Sequence, residues 1–111
     1  MTAILRLKKI TCVTQAETFT DELYVTFYGT KVSLPSMTQG QAEDLDIQFV
    51  FEGSSNLNLF ENDGDHWYDR DDFIAQHLIT ESPGMPTLEF HATSGNARGA
   101  HYTMDVSVTP P

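Results

Sequence analysis

Apolar and polar residues alternate along almost the whole chain, the period-two signature of half-buried strands rather than the 3.6-residue period of a helix. Leu5 and Leu7 set one phase and Ile10 and Cys12 the opposite one, so the change at Lys8-Lys9 predicts a β-bulge. Leu23, Val25 and Phe27 alternate next, then Val32 and Leu34, then Ile47, Phe49 and Phe51, then Leu57 and Leu59. A mixed apolar run from Phe73 to Ile79 follows. Leu88, Phe90 and Ala92, and finally Tyr102, Met104, Val106 and Val108, complete eight candidate strands. Turn-forming residues separate them at Tyr28-Gly29-Thr30, Gly53-Ser54-Ser55-Asn56, Ser82-Pro83-Gly84 and Ser94-Gly95-Asn96. Only residues 36–45 have room for a helical turn. Short strands at this spacing predict an all-β fold, a single antiparallel eight-stranded β-sandwich over residues 1–111.

Composition narrows the function. A chain of 111 residues, 40% hydrophobic and 11% aromatic, has material for one core. Its formal charge of −10, from 16 acids against 6 Lys and Arg, repels nucleic acid and anionic membranes at long range. Nucleic acid is therefore not an expected partner, and an anionic lipid would need a bridging cation. Cys12 is the sole cysteine, so no internal disulfide forms, and its place in an apolar strand predicts a buried thiol. No segment has the apolar length of a membrane span or a signal-peptide core. The expectation is a soluble protein, cytoplasmic or exported by a route without a signal peptide.

The segment Glu61-Asn62-Asp63-Gly64-Asp65-His66-Trp67-Tyr68-Asp69-Arg70-Asp71-Asp72 carries six acids against one arginine, a net −5 and half the charge of the protein. Concentrating like charge in this way costs energy unless a cation sits there. Calcium, which takes six to eight oxygens in a flexible shell, suits it. Counted from Glu61, acids stand at positions 1, 3, 5, 9 and 12, the side-chain ligand spacing of an EF-hand loop. The flanks read as strands and His66 takes the place of that loop's glycine, so the spacing is kept and the EF-hand fold rejected. A carboxylate-rich set disfavours zinc. The alternative is a solvated acidic hairpin without metal.

Two further patterns resemble the C2 domain, the calcium- and phospholipid-binding sandwich of synaptotagmins and protein kinase C. Thr20-Asp21-Glu22-Leu23-Tyr24-Val25 is similar to the Ser-Asp-Pro-Tyr-Val element that ends the family's first calcium loop. Leu57-Asn58-Leu59-Phe60-Glu61-Asn62-Asp63, with Asp72-Phe73-Ile74-Ala75, is similar to the flanks of its third loop. The resemblance covers nearly the whole chain. It implies an eight-stranded sandwich with Asp21, Glu61, Asp63 and Asp72 as calcium ligands, and the longer third loop adds Asp65, Asp69 and Asp71. Gln15 stands near the position from which the first loop supplies its leading acid.

His66, Trp67 and Tyr68, amid the acids, are candidate partner-binding residues, since an aromatic in a hydrophilic loop often anchors a partner; folding back onto the sandwich is the other reading. Three docking partners follow for a calcium-dependent module: a phospholipid surface, a protein, or a glycan, the last making it a carbohydrate-binding module. A metal-free interaction or structural protein is the remaining alternative. His77, His91 and His101 fall on predicted strands without short metal-ligand spacing, which predicts solvent-facing side chains and no shared zinc site. No nucleophile elbow or phosphate-cradling glycine loop occurs, so an enzyme is not expected.

Overall fold

The structure, a computed structural model, describes residues 2–15, 22–62, 72–93, 95 and 97–111. Eight strands follow one another: β1 (Thr2–Thr14), β2 (Leu23–Phe27), β3 (Thr30–Ser33), β4 (Ala42–Glu52), β5 (Ser54–Glu61), β6 (Asp72–Thr80), β7 (Thr87–His91) and β8 (His101–Thr109). They form two four-stranded antiparallel sheets, ordered β4-β1-β8-β7 and β3-β2-β5-β6. The long strands β1, β5 and β8 bury largely alternate residues against the facing sheet, as the period-two pattern requires. Leu5, Leu57, Leu59, Phe90, Tyr102 and Met104 are fully buried between the layers, and the buried apolar residues form one cluster. Phe27 meets Phe49 and Phe51 there, with both ring centroids 5.2 Å away.

The bulge is where the phase change puts it. The register of β1 against both β4 and β8 shifts between Leu7 and Lys9, which lets Leu7 and Ile10 both face inward although they stand three positions apart. Cys12 is buried as a free thiol. Residues 36–45 do not form the helical turn that the sequence allowed. β4 starts at Ala42, because beyond the bulge Lys9 and Thr11 pair with Asp44 and Ala42. The backbone of Asp44 and Leu45 is thereby committed to the ladder, and only a turn closed by the Gln41 amide on the Thr38 carbonyl (3.0 Å) remains.

Two glycines set the connections at the far end. Phe27 pairs with Thr30, so Tyr28 and Gly29 make a two-residue hairpin loop, and their φ angles of 50° and 81° are both left-handed. That is the type I′ turn whose twist matches the strands it joins. Gly53, at φ 77°, carries the chain from β4 in one sheet to β5 in the other, and its amide donates to Glu81 Oε2 at 2.6 Å. No helix among the described residues is long and apolar enough to cross a membrane.

Candidate functional site

The alternation of strand directions sends the connections after β1, β3, β5 and β7 to one end of the sandwich, opposite the Tyr28–Gly29 turn. The described residues that flank the two segments singled out in the sequence meet there. Leu23 pairs with Glu61 in the β2–β5 ladder. The Asn62 amide donates to the Glu22 carbonyl at 2.6 Å, and the Leu34 amide to the Leu23 carbonyl at 2.9 Å. Main-chain hydrogen bonds therefore tie the residue after Asp21 to the residue after Glu61.

Glu61 closes β5 and Asp72 opens β6, and the two are direct register partners. Glu61 continues the inward phase of Leu57 and Leu59 after the bulge at Leu59/Phe60, and is only 2% exposed. A carboxylate at an inward position is costly unless other groups compensate its charge. Glu61 Oε1 and Asp72 Oδ2 are buried oxygens outside any hydrogen bond, while both residues make other polar contacts. Two acids directly opposed across a ladder also repel one another. Their oxygens are the hard donors that calcium takes, so the residues present fit that ion.

The strands that carry these acids are braced on their outer side. Tyr24, Phe60 and Phe73 lie side by side across β2, β5 and β6. The Tyr24 and Phe60 rings stack at 5.0 Å and 11°, and Phe73 meets Phe60 edge-on at 5.5 Å. Lys31, on β3, places its ammonium 4.1 Å from the Tyr24 ring centroid, a cation–π contact. Beside it a shallow polar cleft of about 230 Å³ opens between Glu22, Tyr24, Lys31, Ser33 and Asn62. Lys31 thus sets a positive charge beside Tyr24 and close to Glu22. Sequence reasoning missed it, since only the β2–β3 pairing brings it to Tyr24.

Of the sequence-predicted ligands, Glu61 and Asp72 are brought together. Asp21, Asp63, Asp65, Asp69 and Asp71 lie outside the described residues, as do the candidate partner-binding residues His66, Trp67 and Tyr68. Gln15, near the place of the leading acid, accepts a hydrogen bond from the Gln39 amide at 2.8 Å through its side-chain carbonyl, linking the first and second connections. On the other sheet, Glu89, His91 and His101 come together although nothing in their spacing announced it.

No protein-family model matches the sequence, and no curated protein matches it. Solved structures do match. A structure of CC2D1B, from work on the mitotic reformation of the nuclear envelope, superposes over 98% of this chain with a TM-score of 0.63 at 10% identity. The human GIVD cytosolic phospholipase A2 superposes over 97% with a TM-score of 0.61 at 13% identity. A C2 domain solved by itself superposes over 98% of both chains, with a TM-score of 0.54 and 12% identity. The chain spans 54% of the CC2D1B chain and 16% of the phospholipase chain. The two-sheet topology and the match to an isolated C2 domain along its whole length lead to one conclusion: this chain is a C2-like β-sandwich.

Proposed function

We propose that residues 1–111 act as one non-catalytic binding module that takes calcium between its first and third connections and docks by that end on an anionic phospholipid surface. The observation that carries this reading is the opposed pair Glu61 and Asp72, held beside Glu22 by the Asn62 amide. Asp21 immediately precedes Glu22, and Asp63, Asp65, Asp69 and Asp71 lie between Glu61 and Asp72 in sequence; they would complete an oxygen shell. Bound calcium would reverse the sign of the local field and permit approach to anionic headgroups, with Lys31 and its polar cleft available to a phosphate. Trp67 and Tyr68 would add a shallow apolar contact, each side chain contributing about 1.5–3 kcal/mol if buried. An anionic surface of this kind is the cytoplasmic leaflet, a setting in which the Cys12 thiol stays reduced.

The net charge of −10 favours a second reading, a basic protein partner met without metal. The described residues add no support to a carbohydrate ligand, whose candidates His66, Trp67 and Tyr68 lie outside them. Vesicle co-sedimentation separates the two main readings. Binding to phosphatidylserine-containing vesicles in calcium, released by EDTA and absent from purely zwitterionic vesicles, is the expected result. No binding in calcium to either vesicle would refute the lipid reading.

A further inference from the structure

We propose that Glu89, His91 and His101 form a second metal site, for zinc or a similar divalent transition ion, on the outer face of the β7–β8 ladder. His91 ends β7, His101 begins β8, and the two are register partners. Their rings stack with centroids 3.6 Å apart at 23°. Glu89 precedes His91 by two residues and so projects from the same face of β7; its Oε1 lies 3.3 Å from His101 Nε2. One ligand atom from each residue falls within 4.8 Å of the others. This is the only such group among the described residues.

The donor set selects the ion. Two imidazoles and a carboxylate are the ligands of three-coordinate protein zinc sites, with a fourth position open to water, whereas calcium prefers an all-oxygen shell. Ligand atoms around a tetrahedral zinc stand roughly 3.4 Å apart, from metal–ligand distances of about 2.0–2.1 Å. The Glu89–His101 separation already has that spacing. The His91 ring needs only to turn about its own side-chain bonds to aim a nitrogen at the same point, and its exposure on a strand end leaves room for that turn.

The framework beneath the cluster is rigid where a binding site needs it. Between the outward-facing Glu89 and His91, Phe90 is fully buried and pairs with the fully buried Tyr102, the residue after His101. On the neighbouring sheet His77 donates through Nε2 to the Glu89 carbonyl, and its ring meets Phe90 edge-on at 4.9 Å. The β7 backbone is therefore fixed from both sides while its outward side chains stay open to solvent. The site uses none of the residues of the Glu61–Asp72 end and stands without the calcium reading.

Titration calorimetry of the whole chain with zinc chloride, in a non-coordinating buffer with calcium in excess, tests the site. The expected result is one zinc per chain. His91→Gln and His101→Gln should each weaken it by more than about a hundredfold, above what loss of a merely supporting contact costs, whereas Glu61→Gln should leave it unchanged. Cobalt(II) in place of zinc should give visible absorption of a tetrahedral nitrogen–oxygen site, lost in the same variants. This spectrum is read on the unaltered protein, so it holds even where a variant folds poorly. Absence of stoichiometric zinc binding, or binding indifferent to both histidines, would overturn the proposal. Calcium serves only as a competitor here, so failure of the calcium reading leaves this outcome unaffected.

Discussion

Glu61 and Asp72 face each other at the mouth of the β5–β6 hairpin, with the glutamate side chain turned into the sandwich. Their opposition ties the local charge balance to the acids that lie between them in sequence. Like charges directly opposed across a ladder are destabilising, and neutralising one member removes that repulsion. Glu61→Gln in EDTA is expected to raise the unfolding midpoint slightly, in line with the about 0.2–1 kcal/mol typical of a cross-strand pair. In calcium the same variant should fall below the unaltered protein. Paired thermal melts in the two conditions measure both signs.

The aromatic row across β2, β5 and β6 positions those acids as well as stabilising the sheet. Phe60 touches Tyr24 on one side and Phe73 on the other. Phe60→Leu keeps an apolar side chain but removes both ring contacts, worth about 0.5–1.5 kcal/mol each beyond area burial. The expected outcome is a lower midpoint and a weaker calcium response together, read from denaturant melts with and without calcium. A weakened midpoint with an intact calcium response would show that the row only stabilises.

Lys31 holds a positive charge over Tyr24, beside the polar cleft. Lys31→Glu should reduce calcium-dependent binding to phosphatidylserine vesicles and flatten its loss with salt, because one attractive contact fewer remains for salt to screen. Its effect on calcium affinity in the absence of lipid should be small. Sedimentation across a salt series, beside calcium titration of the free protein, distinguishes a lipid-facing lysine from one that only packs on Tyr24.

At the opposite end, Gly29 sits at φ 81° beside Tyr28 at φ 50°. Gly29→Ala forces a second side chain into left-handed backbone, at a cost of about 1–2 kcal/mol. The midpoint should drop by several degrees with calcium response unchanged, since the turn lies at the far end of the strands.

Much of this architecture was legible in the alternation alone. The bulge at Lys8-Lys9 was visible because a change of phase has only one cheap explanation in a strand buried on one face. The extension of β4 back to Ala42 was not, because Ala42 to Leu45 carries too little apolar character to advertise a strand. It is held there by its register against β1 beyond the bulge, a non-local fact. The meeting of the β2 entry with the β5–β6 hairpin was anticipated through the C2 resemblance, and the ladder from Leu23 to Glu61 realises it. His91 and His101 stayed hidden for the same reason as β4. They stand ten positions apart in sequence, and only the pairing of β7 with β8 makes them neighbours.

The central claim is that the Glu61–Asp72 end takes calcium, and thermal unfolding in excess EDTA, in millimolar calcium and in millimolar magnesium tests it most directly. A ligand that binds only the folded state at about 100 times its dissociation constant adds roughly 2.7 kcal/mol, which in a domain of this size moves the midpoint by several degrees. The account predicts a clear rise with calcium, little change with magnesium, and loss of the rise when Glu61→Gln and Asp72→Asn are combined. Identical midpoints in EDTA and calcium would contradict it.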